Sequence, residues 1–255
     1  MDKRIEGTAA GVPFVALGPA EGAAPLVVTW HLMPGSAEQM ASALPMGELH
    51  AWKVHFDLPM FGKRQLEGGF AEFFRLASED NVLNVVEPVT EQAAAEFPAA
   101  VEELRKRLSI SDGPVGVVGG SAGGAVAYEV LTRAEVDIAA GALVNPVTQL
   151  PPVVAANERR FEVTYTWTEA SRAVADRYDF VRRAGEFKHD LLLVIGEDDD
   201  ISITEPAAAL HSALTDAELV LVPGLAHEVY DEAGAPTASA GAVDKLLTEW
   251  FQRHL

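Results

Sequence analysis

The sequence contains no cysteine, which excludes disulfides, a thiolate nucleophile and thiolate-bound metal or iron–sulfur centres. Basic residues are scarce: 19 Lys and Arg stand against 38 Asp and Glu, for a formal net charge of −19 at pH 7. A chain this acidic repels phosphate backbones and anionic lipid, so neither a nucleic acid nor a membrane surface is expected as a partner. Long hydrophobic runs are missing too. The first apolar segment, residues 12–17, is interrupted by Pro13 and is too short for the core of a secretory leader. No stretch approaches the ~20 apolar residues of a membrane-spanning helix. These absences read as a soluble, cytoplasmic protein. There is no internal repeat and no low-complexity linker.

What is present is apolar material for one sizeable core, 49% of 255 residues, and single α/β domains commonly reach this length. The expected organisation is one domain over residues 1–255. Residues 4–8 and 12–17 read as a hairpin. Short strands are predicted at 26–30, 52–56, 115–118, 138–144, 191–195 and 219–222. Helices are predicted at about 90–108, from the glycine run to about 133, at 168–184 and at 242–253. The helix at 90–108 rests on Phe97, Val101, Leu104 and Leu108, which recur with the helical period. Strands alternating with helices imply a mostly parallel sheet covered on both faces. Residues 147–187 carry no strand-like run and form a sizeable insertion.

The informative segment is Val118-Gly119-Gly120-Ser121-Ala122-Gly123-Gly124. Gly-x-Ser-x-Gly stands at 119–123, where a buried strand turns sharply into a helix. A serine lifted on such a turn is forced into strained backbone geometry. The residues two before and two after it must be small for strand and helix to approach. The N-terminal amides of the following helix favour negative charge developing beside the serine. A phosphate-binding loop is the rival reading, but it requires Gly-x-Gly-x-x-Gly or a Lys-Ser/Thr after the loop, and neither is present.

A serine hydroxyl becomes nucleophilic when a base takes its proton, and the base needs an orienting acid. Candidates follow in the order serine, acid, histidine, each just past a predicted strand. The acids are in Gly196-Glu197-Asp198-Asp199-Asp200. The histidine is in Pro223-Gly224-Leu225-Ala226-His227. The carboxyl edge of an open α/β sheet is where ligands and reacting groups gather. The acidic run lacks the Asp-x-Asp-x-Asp-Gly pattern of a calcium loop, and no metal site is expected.

Together these motifs resemble those of the α/β-hydrolase-fold serine hydrolases, in particular small esterases and dienelactone-hydrolase-like or prolyl-oligopeptidase-like members. The resemblance covers nearly the whole chain. It implies an α/β-hydrolase fold with residues 147–187 as a small helical cap. It assigns Ser121 as nucleophile, His227 as general base and then acid, and Asp199 as the orienting acid. Asp199 falls three residues after Gly196, as in the Gly-x-x-Asp turn of relatives; Asp198 and Asp200 are the alternatives.

The resemblance also places one oxyanion-hole donor on the amide of Ala122. The second belongs to the loop after the first parallel strand, where relatives carry His-Gly and this chain has His31-Leu32. Met33 is the expected donor and Leu32 the alternative. The segment at 57–64 (DLPMFGKR) resembles the Leu-Pro-x-x-Gly-x-Arg stretch of some small esterases. Leu32, Met60, Phe61 and Trp167 are therefore candidate pocket residues, with ordinary core packing as the other reading of Met60 and Phe61. Tyr165, Trp167 and Tyr178 are candidates for an aromatic underside to the cap.

The expected activity is hydrolysis of small to medium carboxylic esters through an acyl-enzyme, without cofactor or metal. A peptidase, thioesterase or acyltransferase using the same residues is the alternative. Peptidases of this type usually carry a propeller or gating domain, for which 255 residues leave no room. A non-catalytic binding protein on the same fold is the reading from another class.

Overall fold

Eight strands form one sheet in the computed structural model, which describes residues 3–133 and 135–255. Met1 and Asp2, the start of the segment considered as a leader, lie outside the described residues, as does Ala134. The strands are β1 (Lys3–Ala9), β2 (Val12–Gly18), β3 (Leu26–Trp30), β4 (Trp52–Phe56), β5 (Val115–Gly120), β6 (Ile138–Val144), β7 (Asp190–Gly196) and β8 (Ala217–Val222). Their order across the sheet is β1-β2-β4-β3-β5-β6-β7-β8. The β1–β2 and β2–β4 pairs are antiparallel, and all pairs from β4 to β8 are parallel.

The continuous apolar runs have a direct cause. Every residue of β3, β4 and β5 is buried, as central strands covered on both faces require. Val115 and Val117 enter the core on one face with Phe97, Val101 and Val126, while Val118 enters the other with Val243, Leu247 and Phe251. That two-residue alternation follows from the pleat.

The helices are α1 (Ala37–Ala43), α2 (Gly69–Asn81), α3 (Glu87–Arg107), α4 (Ala122–Arg133), α5 (Leu150–Phe161), α6 (Glu169–Arg177), α7 (Ile201–Ala213) and α8 (Ala240–His254). Among the described residues no helix is long and apolar enough to cross a membrane. The fold is the α/β-hydrolase fold, with α5 and α6 lying between β6 and β7, in the stretch expected to form a cap.

Helices α1 and α5 were not placed by the sequence, and three further helical segments differ from its expectation. The helix predicted at 168–184 begins on time, because Thr168 and Ser171 close a reciprocal capping box. It ends at Arg177, where the chain turns to bury Tyr178 and Phe180. Their rings stack, and the Phe180 amide bonds to the Thr148 carbonyl. Tyr178 is therefore a core residue, not part of a cap underside. Helix α2 was not anticipated, although Phe70, Phe73, Phe74 and Ala77 repeat at helical spacing. None of its residues is buried. It kinks at the extended backbone of Asp80, and a π-turn at 82–86 then leads into α3. Helix α7 was also missed; Asp200 caps it, and Ile203, Ala207 and Leu210 bury its inner stripe.

Candidate active site

Ser121 sits between β5 and α4 with a φ of 50°, in the left-handed region that non-glycine residues seldom occupy. The surrounding backbone explains the motif. A Cβ on Gly119 would lie 2.1 Å from the Gly123 carbonyl oxygen, and one on Gly123 would lie 2.4 Å from that of Trp30. Both positions are too close for any side chain. The Ser121 amide donates to the Val144 carbonyl, and its own carbonyl accepts from the Val147 amide. The turn is thus anchored to the end of β6.

Ser121 Oγ lies 2.8 Å from His227 Nε2. His227 Nδ1 lies 2.9 Å from Asp199 Oδ2 and 3.1 Å from Oδ1. A carboxylate can only accept, so Nδ1 carries the proton; the neutral ring then offers Nε2 as acceptor, and Ser121 donates. The Asp199 side chain is 2% exposed and that of His227 is 29% exposed. Burial pulls the His227 pKa down, but the hydrogen bond and charge of Asp199, with Glu228 adding to them and Arg160 opposing, leave it raised above its ordinary value. The charged form of the imidazole is thereby stabilised here.

The neighbouring acids are directed elsewhere. Asp200 accepts from the Ser202 amide at 2.8 Å as the N-cap of α7, and the Ser202 hydroxyl, followed by that amide, lowers its pKa. Asp198 is exposed. Gly196, at the end of β7, has no space for a Cβ beside the Leu225 carbonyl, so the acid turn and the histidine loop press together.

The loop after β3 is held from below. His31 is fully buried, and burial drives its pKa down to about 4. Its Nε2 accepts the Leu58 amide at 3.0 Å, so Nδ1 carries the proton and donates to the Leu32 carbonyl at 2.5 Å. The Tyr230 hydroxyl donates to that same carbonyl at 3.1 Å. Asp57 is 4% exposed and accepts the amides of Ala37 and Lys63, fixing the segment that follows β4. The amides of Leu32 and Met33 have no protein partner among the described residues. Ala122 opens α4, so its amide has no intrahelical acceptor.

A profile of the prolyl oligopeptidase family matches residues 87–255, about two thirds of the chain. The chain belongs to that family. With the fold, this makes it a serine hydrolase. TT1662 from Thermus thermophilus is similar over 98% of both chains at 20% identity, with a TM-score of 0.69. The acylaminoacyl peptidase of Pyrococcus horikoshii is similar to the whole chain at 16% identity and a TM-score of 0.68, but the match spans 42% of that longer protein. The esterase Pf2001 of Pyrococcus furiosus matches the whole chain and 93% of its own at 17% identity and a TM-score of 0.64. No curated protein matches the sequence.

The remaining predicted site residues of this prolyl oligopeptidase-family chain fall in two groups. Leu32 is 2% exposed, its side chain packed over Gly120. Phe61 is 5% exposed and sets its ring edge against His31 and Phe73. Met33, Met60, Tyr165 and Trp167 are half-buried against the core cluster that lies on the α3–α4 face. Tyr165 and Trp167 meet edge to face at 4.9 Å. The Tyr165 hydroxyl donates to Asp80 at 2.6 Å, tying the cap to the end of α2. Among the described residues no group of three or more His, Asp or Glu side chains could hold a metal ion.

Asn145, Asp57 and Tyr230 escaped the sequence reading. Asn145 and Asp57 each sit just past a strand ending at the reactive edge. That position was the signal available, and nothing in the local sequence announces their partners.

Proposed function

We propose that the chain hydrolyses carboxylic esters through an acyl-enzyme on Ser121. His227 takes the Ser121 proton as the hydroxyl adds to the ester carbonyl, then returns it to the departing alcohol. Asp199 holds the ring and stabilises its charged form. Water repeats the sequence to release the acid. The amides of Ala122 and Met33 are the proposed donors to the oxyanion; losing one such donor typically costs about 10²–10³ in turnover. Met60, Phe61 and Trp167 are the proposed apolar walls for the substrate, with Leu32 behind them.

The observation that carries this reading is the unbroken chain from Ser121 Oγ to His227 to Asp199, 2.8 and 2.9 Å long at its two steps. It is tested with short-chain nitrophenyl esters and a fluorophosphonate probe. Wild-type protein hydrolyses the ester and is labelled at Ser121; Ser121→Ala does neither. Turnover that survives in Ser121→Ala would falsify the assignment.

Family membership favours one second reading, hydrolysis of a peptide or acyl-amino-acid bond with the same residues. The similarity to the acylaminoacyl peptidase of Pyrococcus horikoshii points the same way. Matched ester and amide substrates with a common acyl group separate the two. The charge of −19 supports a small neutral or cationic substrate over a nucleic acid.

A further inference from the structure

Asn145 follows the last residue of β6, is fully buried and has a φ of 44°. Its amide donates to the Val194 carbonyl on β7. The side chain reaches two other segments. Oδ1 accepts the Gly196 amide at 2.8 Å, at the root of the turn carrying Asp199. Nδ2 donates to the Ala226 and His227 carbonyls at 2.7 and 3.0 Å, on the loop carrying the imidazole. One N–H and two carbonyls around the carboxamide leave a single orientation that satisfies all three. The residues flanking Asn145 are bonded to the third partner, through Ser121 amide to Val144 carbonyl and Val147 amide to Ser121 carbonyl.

We propose that Asn145 is a positioning residue that sets the distance between the acid turn and the histidine loop, holding His227 within reach of both Asp199 and Ser121. It touches no reacting atom and acts only through the two loops it joins. Among the described residues no side chain from outside the two loops other than that of Asn145 bonds both; the loops also meet directly, the Asp198 amide donating to the Leu225 carbonyl. The proposal rests on the reading of Ser121 as nucleophile. It adds that the reactivity of this serine depends on a carboxamide 24 residues further along the chain.

The test is the second-order rate of fluorophosphonate labelling at Ser121, measured against pH for wild type, Asn145→Ala, Asn145→Asp and Ser121→Ala. This readout needs no knowledge of the natural substrate. A misplacement near 1 Å in such a constellation costs about 10²-fold, and Asn145→Ala is expected to lose about that much. The groups facing His227 are Asp199, Asp200, Glu228, Arg160 and Ser121. Loosening the Asp199 contact removes the largest influence that holds the imidazole charged, so the acid limb of the labelling profile moves down toward 6.5. A general loss of packing would lower the melting temperature without moving that limb.

Where Asn145→Ala does not accumulate as folded protein, Asn145→Asp keeps the shape and the acceptor for Gly196 but has no N–H for Ala226 and His227. It is expected to lose labelling while remaining folded. Wild-type labelling and an unmoved limb in a folded Asn145 variant overturn the positioning role and leave the nucleophile assignment standing. Labelling that persists in Ser121→Ala overturns both.

Discussion

The reactive edge of the sheet and the cap inserted between β6 and β7 are held by different kinds of contact. At the edge, Asn145, Asp57, His31 and Tyr230 are all buried. Between them they bond the loops after β3, β4, β6 and β7 and the loop that carries His227. The cap segment packs the apolar side chains Leu150, Val154, Val174 and Ala175 into the core and adds ion pairs at its surface. Arg159 and Asp200 are 3.9 Å apart with both side chains more than half exposed, and Arg182 pairs with an exposed Asp176. Phe161 and Val163 of the cap are exposed outright. Exposed ion pairs contribute about 0–1 kcal/mol, whereas stripping the partner from a buried polar group costs about 1–3 kcal/mol.

The largest way to probe the edge is Ser121→Ala. Removing the proposed nucleophile from such a constellation is expected to lower turnover by roughly 10⁶-fold, and the ester assay reads this directly while the fold stays as it is. Asp199→Asn follows, with a loss on the order of 10⁴-fold from the wrong imidazole tautomer. Its pH profile is the sharper measurement. In the proposed mechanism the neutral imidazole is the base, and its raised pKa keeps it protonated at higher pH than a free histidine. Wild-type activity therefore rises with pH through a midpoint above 6.5, and Asp199→Asn moves that midpoint down. A wild-type midpoint at or below 6.5 would contradict the electrostatics described for the site.

Asp57→Ala probes the edge through stability. The buried amide of Ala37 and the partly buried amide of Lys63 lose their acceptor, and urea unfolding is expected to register a loss of about 2 kcal/mol. An unchanged midpoint would mean that water replaces the carboxylate and that this part of the edge is softer than its burial suggests. Tyr165→Phe, on the cap side, has the smallest expected effect. It removes the hydroxyl bonded to Asp80, costs roughly 1 kcal/mol and speeds amide exchange at residues 162–168. Labelling of Ser121 stays within about twofold of wild type. A loss of labelling comparable to that of an edge variant would show that cap and edge act as one unit.

The same division governs what could be read from the sequence. The strands were legible because burial on both faces writes continuous apolar runs, and β3, β4 and β6 begin and end where those runs do. The elbow was legible because the crowding around Gly119 and Gly123 admits only hydrogen at Cα. Ser121, Asp199 and His227 were brought forward by their place past strand ends. The choice among Asp198, Asp199 and Asp200 had leaned on the resemblance; the structure turns Asp200 to the α7 amides and Asp199 to the imidazole.

Contacts between distant residues were not legible. Asn145 meets partners 51, 81 and 82 residues away, and Tyr165 meets one 85 residues away. No local pattern encodes such a meeting. Helix α6 was overextended because helical periodicity cannot see that Tyr178 and Phe180 are more stable inside the core than on a continued helix.

The torsion at Ser121 also limits which chemistry this scaffold can host. At a φ of 50° a side chain branched at Cβ collides with its own backbone. A secondary alcohol is thereby barred from the position, although threonine carries the same reactive group and serves that purpose in other enzymes. An unbranched thiol meets no such obstacle. Ser121→Cys is therefore the conformationally permitted exchange of nucleophile and Ser121→Thr the forbidden one, by backbone shape and irrespective of intrinsic reactivity.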